Sequence, residues 1–137
     1  MLHRFIFQQC RTVAGFATFL ALFAIVLLEA NGALAVDIQR GERIFHACAS
    51  CHVVDNERNT FGPYLKGVIG RRAGSVPDYA YSASMKAAGD TGLVWDDQAL
   101  AEFLRDPSGK VPGTKMRFWG LWSSEVEDLI AFLKAHP

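Results

Sequence analysis

Two thiols three positions apart, with an imidazole directly after the second, stand together in Cys48-Ala49-Ser50-Cys51-His52. This is the residue pattern of a covalent attachment site for c-type haem. Each thiol adds to one vinyl group on the same edge of the porphyrin, so the sulfurs must sit about one helical turn apart. His52 then projects over the ring centre and offers iron a nitrogen from the proximal side. Two other chemistries use the same residue types. A closed zinc site takes about four ligands, and outside the first 35 residues only His46 and His136 remain as further Cys or His side chains. A thioredoxin-like dithiol needs a βαβ setting, which the sequence does not show.

Iron held by one histidine is either left open for catalysis or closed by a second ligand for electron transfer. The candidates for the sixth position are Met85, Met116, His46 and His136. Met116 belongs to the irregular stretch Val111-Pro112-Gly113-Thr114-Lys115-Met116, and a loop can direct a side chain across a ring. Met85 lies in a short helical segment, where methionine commonly fills a core. His46 is two residues before Cys48 and poorly placed to reach the opposite face, and His136 is beside a chain end. The residues favour Met116 and leave the other three open.

The elements that must position these groups read as helices. Ile38, Gly41, Ile44, Phe45 and Cys48 recur at three- and four-residue steps, with Asp37 as the N-cap of that helix. Gly41 within the pattern suggests close approach by another helix. Residues 56–77 are rich in Gly, Pro, Arg and Asn, yet Phe61, Tyr64, Leu65, Val68 and Ile69 make them too apolar for disorder. A long ordered loop of that kind is suited to wrapping a cofactor edge. A short helix is expected over 82–88, starting at Ser82 or Ser84 and ending before Gly89. Another is expected from Asp96 through Ala99, Leu100, Phe103 and Leu104 to a stop at Pro107. The last starts near Ser123 or Ser124, with Ser124 and Glu127 at capping-box spacing, and carries Val126, Leu129, Ile130 and Leu133 on one stripe. No β-period segment or internal repeat is present, so the predicted class is all-α.

The 137 residues carry balanced charge, which bounds the chain to one small domain plus its amino-terminal stretch. Arg4 and Arg11 give that stretch a positive start, Val13 to Leu28 is uncharged, and Ala33-Leu34-Ala35 supplies small residues at peptidase-read positions. This order predicts a signal peptide over 1–35 with cleavage after Ala35. The rival is a retained membrane anchor, for which the apolar run is a little short of about twenty residues. Residues 36–137 then form the domain, with Cys48 and Cys51 its only cysteines and 12 basic against 13 acidic residues. A domain of this size buries only about two-thirds of its surface on folding, so a large apolar cofactor would supply much of its core.

Taken together, the chain resembles the class I c-type cytochromes of the mitochondrial and soluble bacterial kind over residues 37–135. The matching stretches are Gly41-Glu42-Arg43-Ile44-Phe45, the Cys48–His52 motif, Phe61-Gly62-Pro63-Tyr64-Leu65, Gly70-Arg71-Arg72, Trp95, Pro112-Gly113-Thr114-Lys115-Met116 and Asp128-Leu129-Ile130-Ala131-Phe132-Leu133. The resemblance implies a small cytochrome c fold, helices around one haem c bound through Cys48 and Cys51, with His52 and Met116 on the iron. It also implies that the Pro63 carbonyl accepts the His52 ring N–H, that Arg71, Tyr81 and Trp95 bond the haem propionates, and that Thr114 makes a polar contact inside the methionine loop. Gly41 and Phe45 would meet Leu129 and Phe132. Two positions depart from the family: Phe103 stands where a tyrosine commonly reaches the methionine sulfur, and Met85 stands near a usually polar position beside a buried water.

The resulting expectation is a periplasmic, monomeric, single-haem electron carrier and not an enzyme. Its expected partners are redox proteins, for which a quinol-oxidising complex, a terminal oxidase, a photosynthetic centre and a periplasmic dehydrogenase are all suited, and no nucleic acid. Lys86, Lys110, Lys115 and Arg117 fall in segments expected near the haem edge, and Asp96, Asp97, Glu125, Glu127 and Asp128 at helix starts expected on other surfaces. An open-iron haem enzyme would require that Met116 not bind. A membrane-anchored cytochrome, or a haem subunit of a larger redox enzyme, would keep residues 1–35.

Overall fold

A computed structural model describes residues 36–137; the expected leader over 1–35 lies outside the described residues. Five helices follow in order: α1 Ile38–Phe45, α2 Ala83–Asp90, α3 Asp97–Arg105, α4 Pro107–Lys110 and α5 Ser123–Lys134. Among the described residues there is no strand, only an isolated antiparallel bridge between Arg72 and Val94. The all-α expectation holds.

Three helix starts follow directly from local side chains, because an Asp or Ser at the N-cap can satisfy an otherwise orphan backbone N–H. Asp37 accepts from Arg40 N at 3.0 Å, Ser82 from Met85 N at 3.1 Å and Asp96 from Ala99 N at 2.7 Å. Pro107 does more than end α3. It opens α4 as the first helical residue, a position where its missing N–H costs nothing, while Asp106 accepts from Gly109 N at 2.9 Å.

At α5 the capping expectation is corrected. Glu125, not Glu127, reaches back, and its carboxylate accepts the Trp122 N–H at 2.9 Å. Trp122 is the N-cap residue, and an indole has no acceptor to complete the reciprocal half of a capping box. Gly89 is also misread by the sequence: it is buried within α2, and Gly92 carries the left-handed backbone (φ 98°) just beyond the helix. A Cβ on Gly89 would drive into the Ala73 backbone, 2.9 Å from its carbonyl carbon.

Helices α1 and α5 cross at Gly41, where an added Cβ would lie 2.8 Å from the Phe132 Cβ and collide with the Asp128 backbone. Phe45 and Phe132 pack there with ring centroids 5.2 Å apart. Beside this crossing Asp128 is buried, not on the surface as its place near a helix start suggested. It accepts the Asp37 N–H at 2.7 Å and pairs with Arg40. The apolar core includes Phe45, Val126, Leu129 and Leu133 from these two helices and Leu100, Phe103 and Leu104 from α3. All of these but Val126 also line the cavity described next.

Candidate haem site

The end of α1 runs on into turns that hold the Cys48–His52 motif. The Cys48 carbonyl accepts both Cys51 N (3.0 Å) and His52 N (2.9 Å), so the two thiols share one tight turn. Both cysteines are free thiols, Cys48 half-buried and Cys51 exposed. Burial pushes the Cys48 thiol above its usual pKa, and the neighbouring Cys51 adds to the effect.

These thiols stand at one wall of a cavity of about 480 Å³, within the roughly 300–1,000 Å³ typical of cofactor sites. Phe45, Leu65, Val68, Leu100, Leu104, Leu129 and Leu133 give it a largely apolar interior, and His52, Arg71, Tyr81, Trp95, Thr114 and Met116 also face it. All nine residues singled out in the sequence for this site, Pro63, Cys48 and Cys51 included, are therefore on the walls of one cavity.

His52 Nδ1 lies 2.8 Å from the Pro63 carbonyl. A carbonyl can only accept, so Nδ1 carries the proton and the lone pair is left on Nε2. Burial holds the imidazole below its usual pKa, partly offset by the Pro63 contact, which keeps it in the neutral form that binds metal. The ring has room because residue 62 is glycine. A Cβ there would fall 2.5 Å from Nδ1 and 2.8 Å from Nε2. Gly62 stands in the Phe61–Leu65 stretch that the family shares, and the space beside His52 is what that position supplies.

The loop over 56–77 is clamped to the start of α3. Gly70 N donates to Trp95 O (3.0 Å), Trp95 N to Arg71 O (2.9 Å) and Ala73 N to Leu93 O (2.9 Å). Arg71 and Trp95 thus reach the cavity from adjacent backbone. The Arg71 guanidinium donates to Tyr64 O at 2.8 Å and to Lys66 O, and stands 4.6 Å above the Tyr64 ring. Burial lowers its pKa, an effect the neighbouring Tyr64 and Tyr81 oppose. Burial raises that of Tyr81, against the Val76 backbone and the Arg71 charge. Trp95 packs on Phe103, with centroids 4.9 Å apart. A cation, a phenol and an indole on one cavity are suitable donors for carboxylates such as propionates.

The methionine loop is tied down at several points. Thr114 N donates to Val111 O at 3.0 Å, Met116 N to the Thr114 hydroxyl at 3.3 Å, and Lys115 Nζ to Ala80 O at 2.6 Å. Of the four sixth-ligand candidates, Met116 and Met85 face the cavity. His46 is exposed, and His136 bonds the Phe132 carbonyl at 2.8 Å; neither lines it. Of the four cations expected near the haem edge, Lys115 and Arg117 line the cavity and Lys86 and Lys110 do not. Lys110 is paired with Glu102 at 2.5 Å.

Size, apolar lining, paired thiols on one turn and a neutral imidazole with a free lone pair all fit a covalently bound haem. Comparison with known proteins agrees. The chain belongs to the Cytochrome c family, whose description matches residues 38–137. It is 46% identical over 99 residues to cytochrome c2 of Agrobacterium tumefaciens, covering 71% of this chain and 89% of that one. Among solved structures it resembles cytochrome cH from Methylobacterium extorquens (44% identity, TM-score 0.66, 72% of this chain and 98% of that one). Cytochrome c2 from Rhodospirillum centenum is similar as well (35% identity, TM-score 0.70, 73% and 98%). As a cytochrome c of this group, the chain is an electron carrier with one covalently attached haem c, not an enzyme, and it works by meeting redox partners.

Proposed function

We propose that the protein is a periplasmic one-electron carrier whose haem iron is held between His52 and Met116, with the haem joined to Cys48 and Cys51. The observation that carries this reading is a single cavity lined both by an imidazole whose Nε2 is freed by the Pro63 contact and by the Met116 thioether. Haem supplies the one-electron couple. The chain's own residues do the rest. Pro63 fixes the ring plane and tautomer of His52 and makes it a better donor. Arg71, Tyr81 and Trp95 receive the propionates, and Thr114 braces the loop that presents Met116. The apolar wall from α3 and α5 excludes water and lowers the dielectric around the metal.

The thioether favours the ferrous state relative to harder ligands, which suits a carrier that is reduced and reoxidised repeatedly. Residues 1–35 have the order of a cleaved export signal, and among the described residues no helix is long and apolar enough to cross a membrane. Partners fitting this reading are a quinol-oxidising complex, a terminal oxidase, a photosynthetic centre and a periplasmic dehydrogenase, each of which exchanges single electrons with such a carrier.

Optical spectra of the purified protein in both redox states, with and without carbon monoxide or cyanide, test the reading. Low-spin spectra that change only slowly with added ligand are expected. A high-spin parent that binds carbon monoxide at once would overturn it in favour of an open-iron function.

A further inference from the structure

The loop that leaves Met116 carries two indoles in water. Trp119 is 96% exposed and Trp122 is 82% exposed. Phe61 is also 88% exposed, but it lines the cavity, where a haem would cover part of it. Trp119 and Trp122 do not line the cavity, so a haem there leaves them bare. Isolated apolar side chains on a surface need no explanation, whereas two tryptophans three positions apart present roughly 400 Å² of apolar surface.

The backbone beneath them is held firmly. Gly120 has φ 96°, and a Cβ there would lie 2.8 Å from the Arg105 carbonyl carbon. Leu121 N donates to Leu104 O at 3.0 Å, and Trp122 N donates to Glu125 at 2.9 Å. The turn is thus pinned to the end of α3 and the start of α5, and the indoles are presented outward from a fixed support. Phe118, next to Trp119, lines the cavity together with Met116. Anything seated on Trp119 is therefore one residue removed from the wall of the haem pocket.

We infer that Trp119 and Trp122 form the apolar centre of a docking surface for a redox partner protein, one whose own face sets an apolar depression within a rim of carboxylates. The inference rests on the electron-carrier reading above. Charge selects the occupant: Lys115 and Arg117 precede the indoles on the same loop, at the rim of the cavity and still exposed, and their two positive charges outnumber the half-buried Glu125 carboxylate that accepts the Trp122 N–H. Size agrees. Transient electron-transfer encounters bury less than about 1,200 Å² in total, so two indoles and their cationic neighbours cover most of one partner's share. Trp and Arg are also the residues that most often concentrate binding energy at the centre of an interface.

The test uses the full haem-loaded protein and the variants Trp119→Ala, Trp122→Ala and Trp119→Phe. Rates are measured with a quinol-oxidising complex and a terminal oxidase purified from the same organism, and with ferricyanide as a small oxidant that needs no docking surface. The alanine variants should lose at least about tenfold in second-order rate with one or both complexes, with unchanged ferricyanide rate, spectrum and midpoint potential. Trp119→Phe should recover part of the loss. Alanine variants that match the parent with both complexes would overturn the inference while leaving the carrier reading intact. A parent that reacts with ferricyanide but with neither complex would overturn the carrier reading and the inference together. Indole-dependent sedimentation with anionic phospholipid vesicles, or indole-dependent dimerisation in the ultracentrifuge, would overturn it in favour of a lipid surface or a second copy.

Discussion

The backbone N–H of Asp37 donates to the buried Asp128 carboxylate at 2.7 Å across 91 positions of sequence. The same carboxylate takes Arg40, so the first turn of α1 is stapled to α5 beside the Gly41 crossing. This joins the helix that leads into the Cys48–His52 turn to one that supplies the cavity wall.

Burial raises the Asp128 pKa, but the Asp37 N–H and the Arg40 charge outweigh it and hold the group below its ordinary value. A depressed native pKa means that the stabilisation is present above the unfolded value of about 3.9 and is lost as pH falls through the lower native one. Asp128→Asn should therefore reduce stability near neutrality by about 1–3 kcal/mol, Arg40 being half in water and the asparagine keeping an acceptor. The gap between variant and parent should begin to narrow below about pH 4 and go on narrowing as pH falls toward the depressed native pKa. Denaturant midpoints of the haem-loaded proteins from pH 7 to pH 3 measure this. A gap that widens on acidification would contradict it.

Gly62 leaves room for the His52 ring, which separates a specific effect from a general one. In Gly62→Ala the added methyl would contact the imidazole itself, so the ring must leave the Pro63 carbonyl. Overpacking of this kind costs about 1–3 kcal/mol, and the spectrum of the haem protein should change with it. Gly70→Ala is the control, because Gly70 has φ 79° with nothing within 4 Å of its added Cβ. That variant should be destabilised by backbone strain of about 1 kcal/mol, with its spectrum intact. Identical spectra for both variants and the parent would remove Gly62 from the site.

What the sequence makes legible is mostly local. Asp37, Ser82 and Asp96 cap helices because their side chains reach backbone only three residues ahead. The Cys-x-x-Cys-His spacing, likewise, is closed by hydrogen bonds within one turn. Tertiary neighbours decide the cases that were misread. Gly89 has the composition of a helix end, but it is buried against Ala73, contributed by a loop that no spacing rule brings there. Asp128 has the look of a surface acid near a helix start, and only the approach of α1 buries it. Lys110 reads as free for docking, but Glu102 of α3, eight residues earlier, takes it. The cavity itself was legible through its resemblance to a family, and Met85, read as a core filler, is indeed buried in the core while also reaching the cavity wall.

Phe103 faces the cavity and packs on Trp95. No phenol is available there to draw on the methionine lone pair, so the sulfur should donate strongly and favour the ferric state. Phe103→Tyr adds that hydroxyl, and polar contacts to a ligand tune the metal it holds. The midpoint potential should rise modestly, with the low-spin spectrum retained. A voltammetric midpoint that falls or stays in place would show that the added hydroxyl does not act on the ligand.

Two thioethers line one cavity, so the identity of the sixth ligand can be decided by removing each in turn. Met116 sits on a loop braced by Thr114 and Lys115, a placement that lets the sulfur be offered to a metal. Met85 is buried in α2 with Ser82 capping its N–H, as expected of packing. Met116→Ala leaves Cys48, Cys51 and His52 untouched, so the haem should stay attached while the iron becomes open. The variant should bind carbon monoxide and cyanide readily and show a lower potential, because the thioether favours the ferrous state. Met85→Leu, close in volume, should cost less than about 1.5 kcal/mol in stability and leave the spectrum unchanged. If Met85→Leu instead abolishes the low-spin spectrum while Met116→Ala keeps it, the ligand is Met85, and the braced loop serves only to close the cavity.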